Sequence, residues 1–293
     1  MSPPASRRPG ANARATEIQP APPRPAAPPP PIPGPIALHG GGEFTLGDEP
    51  FLRALLEAAV APARWRAAGS PPATAGAPDS AAVRVAIVPA AAAAERPDLA
   101  VTHGIAAFER AARAASVAAL IEGVMVVDTR TAASPGLAER LAAADLVYLP
   151  GGDPGHLVAT LEGSIAWRSI LGARARGAAL AGASAGAMVL APWTWAPRGG
   201  RAGLGLVPRL IVVPHAARVR VGGWTGTFAE RLPTGVGLFG RLGLEERTGV
   251  LSGPLVPGGR TWQVVGEGRV YWSEPGERTI RTFRGGETVV LPG

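Results

Sequence analysis

Short apolar runs alternate with amphipathic stretches along most of the chain. The runs are continuous and rich in β-branched residues, most clearly at 82–89, which is typical of strands that are covered on both faces. The stretches between them repeat their apolar residues at helical spacing. We predict strands at 35–39, 82–89, 123–128, 145–150, 178–182, 210–214 and 287–291, and helices at 49–60, 102–114, 134–144 and 156–176. This alternation predicts an α/β fold, a three-layer sandwich in which a mostly parallel sheet carries helices on both faces.

The pattern changes towards the C-terminus. Residues 262–272 alternate between apolar and polar positions around a turn, which predicts a β-hairpin that extends the edge of the sheet. Residues 242–251 place Glu245 and Glu246 between apolar flanks, and this predicts a strand, a turn and a second strand. Two neighbouring carboxylates in such a turn differ from the solvated charges of a helix face.

The two ends of the chain differ in composition. The first 35 residues hold a large share of the 32 prolines and lack the apolar core of a secretory signal, so we interpret 1–35 as a disordered tail. Residues 36–293 are then expected to form a single α/β domain, with a surface loop at 68–81. No apolar run reaches the length of a membrane span. We therefore expect no membrane association, and the cytoplasm is the default location.

Charge and cysteine content narrow the function classes. The net charge is +7 and every basic residue is an arginine, but the tail supplies +3 of this charge. The other arginines are scattered singly, without interleaved aromatic residues, which argues against a nucleic-acid partner. Anionic substrates stay open. The chain has no cysteine, which excludes disulfides, cysteine metal sites and a cysteine nucleophile.

One serine stands in an otherwise apolar run of small residues. Gly182, Ser184 and Gly186 form the pattern Gly-x-Ser-x-Gly directly after the predicted strand 178–182. This pattern is typical of a nucleophile elbow, in which a strand turns sharply into a helix and presents the serine hydroxyl at the tip. The alternative is an Ala/Gly-rich helix with an incidental serine.

An activated serine needs a base, and the base needs an acid. His215 is the only histidine after Ser184, and it follows the predicted strand 210–214, so it can share the same rim of the sheet. No aspartate or glutamate lies between Ser184 and His215, which excludes the α/β-hydrolase order of serine, acid and histidine. The acid must follow the histidine or precede the serine, and one member of the pair Glu245 and Glu246 is the candidate.

A glycine-rich turn follows the first predicted strand, with the sequence Gly-Gly-Gly-Glu at 40–43. It lacks the lysine of a P-loop and the full spacing of a dinucleotide-binding loop. We interpret it as a tight turn at the rim of a site.

These residues together resemble the serine peptidase family that includes cyanophycinase and aspartyl dipeptidase, within the flavodoxin-like fold of the class I glutamine amidotransferases. The resemblance covers about residues 36–275. It rests on four blocks: Gly-Gly-Gly-Glu at 40–43, Tyr-Leu-Pro-Gly-Gly-Asp at 148–153, Gly-Ala-Ser-Ala-Gly at 182–186, and Gly-Leu-Glu-Glu-Arg-Thr at 243–248. An amidotransferase activity itself is not expected, because that chemistry uses a cysteine.

The resemblance implies a Ser-His-Glu triad. Ser184 is the nucleophile, His215 is the general base, and Glu246 aligns with the family's glutamate, with Glu245 as the fallback acid. The oxyanion hole would be formed by the backbone amides of Gly152 and Ala185.

The same blocks supply the candidates for a substrate pocket, Gly41, Gly42 and Asp153. Pro214 and Ala216, which flank His215, depart from the cyanophycinase pattern. The sequence also shows no set of residues that matches a binding site for a β-linked aspartate.

The resulting hypothesis is a serine peptidase that hydrolyses a peptide or isopeptide amide through an acyl-enzyme, with no cofactor and no metal. The expected partner is a small peptide substrate, and a homodimer stays open. The alternative is an inactive or ligand-binding homologue on the same fold.

Overall fold

Two sheets of unequal size organise the described part of the chain. The computed structural model describes residues 32–68, 81–196, 199–218, 239–277 and 279–292. The predicted tail and the predicted loop at 68–81 lie almost entirely outside these residues, so both stay predictions. The strands are β1 (Ile36–His39), β2 (Val83–Ile87), β3 (Ala119–Gly123), β4 (Leu146–Leu149), β5 (Ala179–Ala183), β6 (Trp193–Ala196), β7 (Gly199–Ala202), β8 (Leu210–Val213), β9 (Gly240–Leu244), β10 (Thr248–Val256), β11 (Gly259–Gly266), β12 (Arg269–Ser273), β13 (Arg281–Arg284) and β14 (Thr288–Leu291).

Helices connect the parallel strands and cover both faces of the larger sheet. They are α1 (Glu49–Ala68), α2 (Pro97–Ala115), α3 (Thr129–Ala132), α4 (Pro135–Ala142), α5 (Pro154–Leu161), α6 (Ile165–Ala175) and α7 (Ala185–Leu190), with a 3-10 turn at Ala90–Ala92. The apolar faces of α1 and α2 pack on one side of the sheet. Those of α4 to α7 pack on the other side, together with buried residues of β8, β9 and β12.

The larger sheet has eight strands in the order β14-β11-β10-β1-β5-β4-β2-β3. Five consecutive strands of this sheet, β1-β5-β4-β2-β3, run parallel to one another. β10 pairs with the other side of β1 in antiparallel register. The second sheet has the order β13-β12-β9-β8, and β6 and β7 form a separate ribbon. The arrangement confirms the predicted α/β fold with a mostly parallel sheet and helices on both faces.

The strand predicted at 123–128 is wrong. The chain is extended one segment earlier, in β3, and 124–127 has no regular structure. Val124 and Val126 are nevertheless fully buried, so their apolar character reflects packing into the core and not pairing in the sheet. Because β3 is the edge strand and alternates between half-buried and exposed residues, it lacks the continuous apolar run of the central strands.

The helix predicted at 156–176 is two helices, α5 and α6. Gly163 between them has a φ of 69°, a left-handed conformation that ends a helix. Ser164 then begins the second helix, since its Oγ accepts a hydrogen bond of 3.0 Å from the amide of Trp167. The apolar pattern continues across the break because both helices bury a face against the same core.

A C-terminal hairpin is present, but it lies earlier than 262–272. It consists of β10 and β11, which pair in antiparallel register along the edge of the larger sheet. β12, which follows β11 after a short turn, pairs instead with β9 and β13 in the second sheet. Within the described residues, none of the helices has the length and apolarity needed to cross a bilayer.

Candidate active site

The carboxyl ends of β1, β4 and β5 lie side by side in the larger sheet, and each is followed by a block of small residues. In open parallel sheets this edge is where sites form. The end of β1 holds two other segments in place: the carbonyl oxygen of His39 accepts the amide of Ser184 at 3.0 Å, and that of Gly40 accepts the amide of His215 at 2.8 Å. The segments that carry Ser184 and His215 are therefore anchored to one strand end.

Ser184 occupies a sharp turn between β5 and α7. Its φ of 48° and ψ of −111° are unusual for a residue with a side chain, and such strained geometry is typical of a nucleophile elbow. The flanking glycines permit the turn: a Cβ at Gly182 would lie 2.3 Å from the carbonyl oxygen of Gly186, and a Cβ at Gly186 would lie 2.0 Å from that of Leu149. α7 thus lies directly against β4.

Gly186→Ala is expected to lower the free energy of unfolding by about 3 kcal/mol or more, since the added methyl group would collide with backbone that cannot rotate away. Gly136→Ala in α4 is the matched control, because a Cβ there meets no atom within 4 Å. The control should be neutral or gain about 0.4–1 kcal/mol. Chemical denaturation of both variants measures the difference, and equal stabilities would contradict the close approach of α7 to β4.

Three of the predicted side chains form a hydrogen-bonded chain. The Oγ of Ser184 lies 3.0 Å from Nε2 of His215, and Nδ1 of His215 lies 2.8 Å from Oε1 of Glu246. A carboxylate only accepts hydrogen bonds, so the neighbouring Nδ1 carries the proton and Nε2 is left to accept from the serine hydroxyl. This tautomer is the one in which the histidine can act as a base towards Ser184.

The backbone around His215 is tightly constrained. Its φ is 53°, and the amide of the next residue, Ala216, donates to the carbonyl oxygen of Leu244 at 2.9 Å. A Cβ at Gly41 would lie 2.3 Å from Cε1 of the imidazole ring. Gly41 therefore gives the imidazole ring room to approach the turn that follows β1.

Glu246 carries its negative charge readily. The hydrogen bond from His215 is the main cause that holds the pKa of Glu246 below its usual range, and the nearby charge of Arg218 lowers that pKa further. Arg218 contacts the same oxygen, Oε1, at 2.7 Å. The carboxylate is thus ionised where it faces the histidine.

The fallback acid Glu245 points elsewhere. Its Oε1 accepts the hydroxyl of Tyr271 at 2.6 Å, and its Oε2 accepts the amide of Arg269 at 2.8 Å. Both contacts fix the turn between β9 and β10 to β12. The structure places Glu246, and not its neighbour, within hydrogen-bonding distance of His215.

Three amides beside the proposed oxyanion amides are occupied. Gly151 donates to Oε1 of Glu43 at 2.7 Å, Asp153 donates to the carbonyl oxygen of Ala91 at 2.8 Å, and Ser184 donates to His39. Within the part of the chain that the structure describes, the amides of Gly152 and Ala185 donate to no protein acceptor. Both remain available to a ligand.

A cavity of about 410 Å³ opens in front of Ser184 and His215. The turn after β4 lines one side of it, and Glu43 with the first turns of α2 lines the other. Larger cavities lie elsewhere, but they contain none of the hydrogen-bonded triad. Among the described residues, no cluster of histidine, aspartate and glutamate side chains has the arrangement of a metal site.

The three pocket candidates have other surroundings. Gly41 packs against His215, and a Cβ at Gly42 would lie 3.2 Å from Cβ of Glu246, so each glycine lies against a side chain of the hydrogen-bonded chain. Asp153 caps α5, since its Oδ1 accepts the amides of Gly155 and His156 at 2.7 and 3.2 Å. None of the three is among the described residues that line the cavity.

Glu43 lines this cavity, and the sequence analysis gave it no role of its own. It stands at the end of the glycine-rich turn 40–43, and its carboxylate contacts the turn after β4. The signal was present in the sequence, because Glu43 is the only charged residue of that block.

A family model of Peptidase family S51 matches residues 77–234 of the chain. Ser184 and His215 fall within the match, while Glu246 lies beyond it. A search of curated proteins finds no match.

Two solved structures illustrate what the fold resembles. The crystal structure of a peptidase from an acI-B1 actinobacterium has a TM-score of 0.65 and 24% sequence identity, covering 88% of this chain and 97% of that chain. The crystal structure of a putative peptidase E protein from Listeria monocytogenes EGD-e has a TM-score of 0.49 and 16% identity, covering 86% of this chain and 99% of that chain. The similarity to the actinobacterial peptidase supports the α/β fold described above.

Proposed function

The chain belongs to peptidase family S51 and is a serine peptidase, and from that premise we propose that it hydrolyses a small peptide or isopeptide through a triad of Ser184, His215 and Glu246. The observation that supports this assignment most strongly is the continuous hydrogen-bonded chain from Oγ of Ser184 to Oε1 of Glu246. The departures around His215 leave the substrate side chain unassigned.

The proposed reaction begins with attack of the Ser184 Oγ on the amide carbonyl carbon while its proton passes to Nε2 of His215. The negative charge that develops on the carbonyl oxygen would be held by the amides of Gly152 and Ala185, donors of a kind that contribute roughly 3 kcal/mol each in comparable hydrolases. His215 then gives the proton to the leaving amine as the C–N bond breaks, and an acyl-enzyme remains.

Deacylation repeats the steps with water. Nε2 of His215 takes a proton from the water molecule, the resulting hydroxide equivalent attacks the ester carbon, and the proton returns to Oγ of Ser184 as the acid product leaves. Glu246 stays ionised throughout and stabilises the imidazolium that forms twice in each cycle. The net change is one amide and one water converted to one acid and one amine.

A fluorophosphonate probe tests whether the serine is activated. The wild-type protein should label at Ser184, located by mass spectrometry of the labelled peptide, while Ser184→Ala should not label. Ser134→Ala is the matched control, because Ser134 precedes α4 and its side chain makes no capping hydrogen bond. Absence of labelling in a folded wild-type protein, under conditions that label a control hydrolase, would favour a ligand-binding homologue. A library of dipeptides and isopeptides, with Ser184→Ala as the blank, then identifies the substrate.

A further inference from the structure

Three successive backbone amides follow β4, and the first and third of them donate hydrogen bonds to other segments of the chain. The first, Gly151, donates to Glu43, and the third, Asp153, donates to the 3-10 turn at Ala91. The middle amide, that of Gly152, donates to no acceptor in the described part of the chain. A turn that is fixed on both sides of one free N–H holds that N–H in a single direction.

The third amide and the glycine before it are fixed by backbone alone. A Cβ at Gly152 would lie 2.2 Å from the carbonyl oxygen of Ala91, so this side of the turn lies directly on the 3-10 segment. The φ of 137° at Gly152 is accessible to glycine and rarely to other residues. The first amide, in contrast, is fixed by a side chain.

That side chain reaches the turn from a well-anchored position. The ring of Phe44, the next residue, packs against the rings of Phe108 and Tyr148 with centroid distances of 6.4 and 5.2 Å. The amide of Phe44 also donates to Oδ2 of the buried Asp48 at 2.9 Å. The backbone that carries Glu43 is therefore held in the core, although the carboxylate itself lies in the cavity.

The carboxylate lies close to the nucleophile without touching it. A methyl group added at Gly151 would lie 2.7 Å from Oε1 of Glu43 and 3.3 Å from Cβ of Ser184. Oε1 of Glu43 and Cβ of Ser184 therefore approach the same point beside Gly151. A shift of the carboxylate moves the turn on which the free amide of Gly152 is carried.

We propose that Glu43 is a positioning residue that aims the amide of Gly152 at the oxyanion, by accepting the hydrogen bond of the preceding amide. The inference rests on the proposed function, since it needs an oxyanion to form at Ser184.

The charge of Glu43 by itself opposes the reaction. Two negative charges at close range repel, and the oxyanion would form near this carboxylate. The benefit of Glu43 is therefore geometric, and it should survive replacement of the carboxylate by an amide of the same shape. Glutamine keeps an oxygen acceptor for the Gly151 amide and removes the charge, whereas alanine removes the acceptor.

Glu43→Ala is expected to lower kcat by about 10- to 100-fold with KM changed less than about threefold, because a donor displaced by a fraction of an ångström loses much of its effect on the transition state. Glu43→Gln is expected to keep kcat within about threefold of the wild type. Glu139→Ala is the matched control, since Glu139 is an exposed carboxylate on α4 and is not among the described residues that line the cavity. The control should leave kcat unchanged within about twofold.

Steady-state kinetics on the best library peptide and the rate of fluorophosphonate labelling provide two readouts, and thermal denaturation a third. Slow labelling and low kcat in Glu43→Ala, with both restored in Glu43→Gln and folding retained, support the inference. If glutamine fails like alanine and the loss lies in KM, the carboxylate binds substrate and the inference is wrong. A fall in melting temperature with normal kcat shows a purely structural role and also overturns it. Labelling of the wild type in either case leaves the proposed function standing.

Discussion

Alanine at Ser184 or at His215 is expected to lower kcat by about a million-fold each, and the double variant should lose no more than either single variant. The two residues act as one unit, because the hydroxyl is a nucleophile only while Nε2, 3.0 Å away, can take its proton. The residual rate should reflect the amides of Gly152 and Ala185 and the binding of the substrate. Turnover of the best library peptide by all three variants measures the effect.

Folding controls decide how these rates are interpreted. The side chains of Ser184 and His215 contact each other at the edge of the cavity, so each alanine should change the free energy of unfolding by no more than about 1–2 kcal/mol. Circular dichroism and a denaturation curve establish this. Losses that multiply in the double variant would show that Ser184 and His215 contribute separately, and would contradict the proposed triad.

Glu246→Gln is expected to lower kcat by about ten-thousand-fold, whereas Glu245→Gln should keep kcat within a few-fold of the wild type. The amide of glutamine can present its NH₂ group to Nδ1 of His215, which favours the wrong tautomer and turns Nε2 from an acceptor into a donor. Glu245→Gln leaves the 2.8 Å contact between His215 and Glu246 intact.

The effects of the two substitutions on stability should be in the opposite order to their effects on kcat. Glu245 accepts two hydrogen bonds that join its turn to β12, so Glu245→Gln should lower the melting temperature more than Glu246→Gln does. Steady-state kinetics and thermal denaturation measure kcat and the melting temperature of both variants. Equal and near-wild-type kcat in both variants would exclude Glu246 as the acid.

The residues of the candidate site were predicted largely from the order of residue types along the chain. One histidine follows Ser184, no acid lies between the two, and a single carboxylate pair follows them, so elimination left few combinations. The choice between Glu245 and Glu246 came from family resemblance, because adjacent residues in a turn differ only in the direction of their side chains. That direction depends on Tyr271 and Arg269, which are distant in sequence.

The errors in the fold have a common physical cause. An apolar run reports burial, and burial does not distinguish a strand from an irregular segment, as Val124 and Val126 show. It also does not report a break in a helix when both halves bury the same face, as at Gly163. Pairing partners are equally invisible, which is why the hairpin was placed one strand too late.

The role proposed for Glu43 lies beyond sequence reasoning for a related reason. Its contact with Gly151 spans 108 positions and joins the turns after β1 and β4, two strands that flank β5 and are brought together only in the folded sheet. Asp153, by contrast, was predicted for the pocket from its block, while its local hydrogen bonds make it a helix cap.

Glu246 lies where the chain crosses from β9 in the second sheet to β10 in the larger one, and His215 follows β8 in the second sheet while Ser184 follows β5 in the larger. The hydrogen-bonded chain from Ser184 through His215 to Glu246 therefore bridges a seam between two separately hydrogen-bonded sheets. A small opening along this seam would break that chain and leave the ladders of both sheets intact. Enzymatic activity is then expected to be a more sensitive indicator of the docking of the two sheets than any measure of secondary structure, because one part of a fold can open while the rest stays folded.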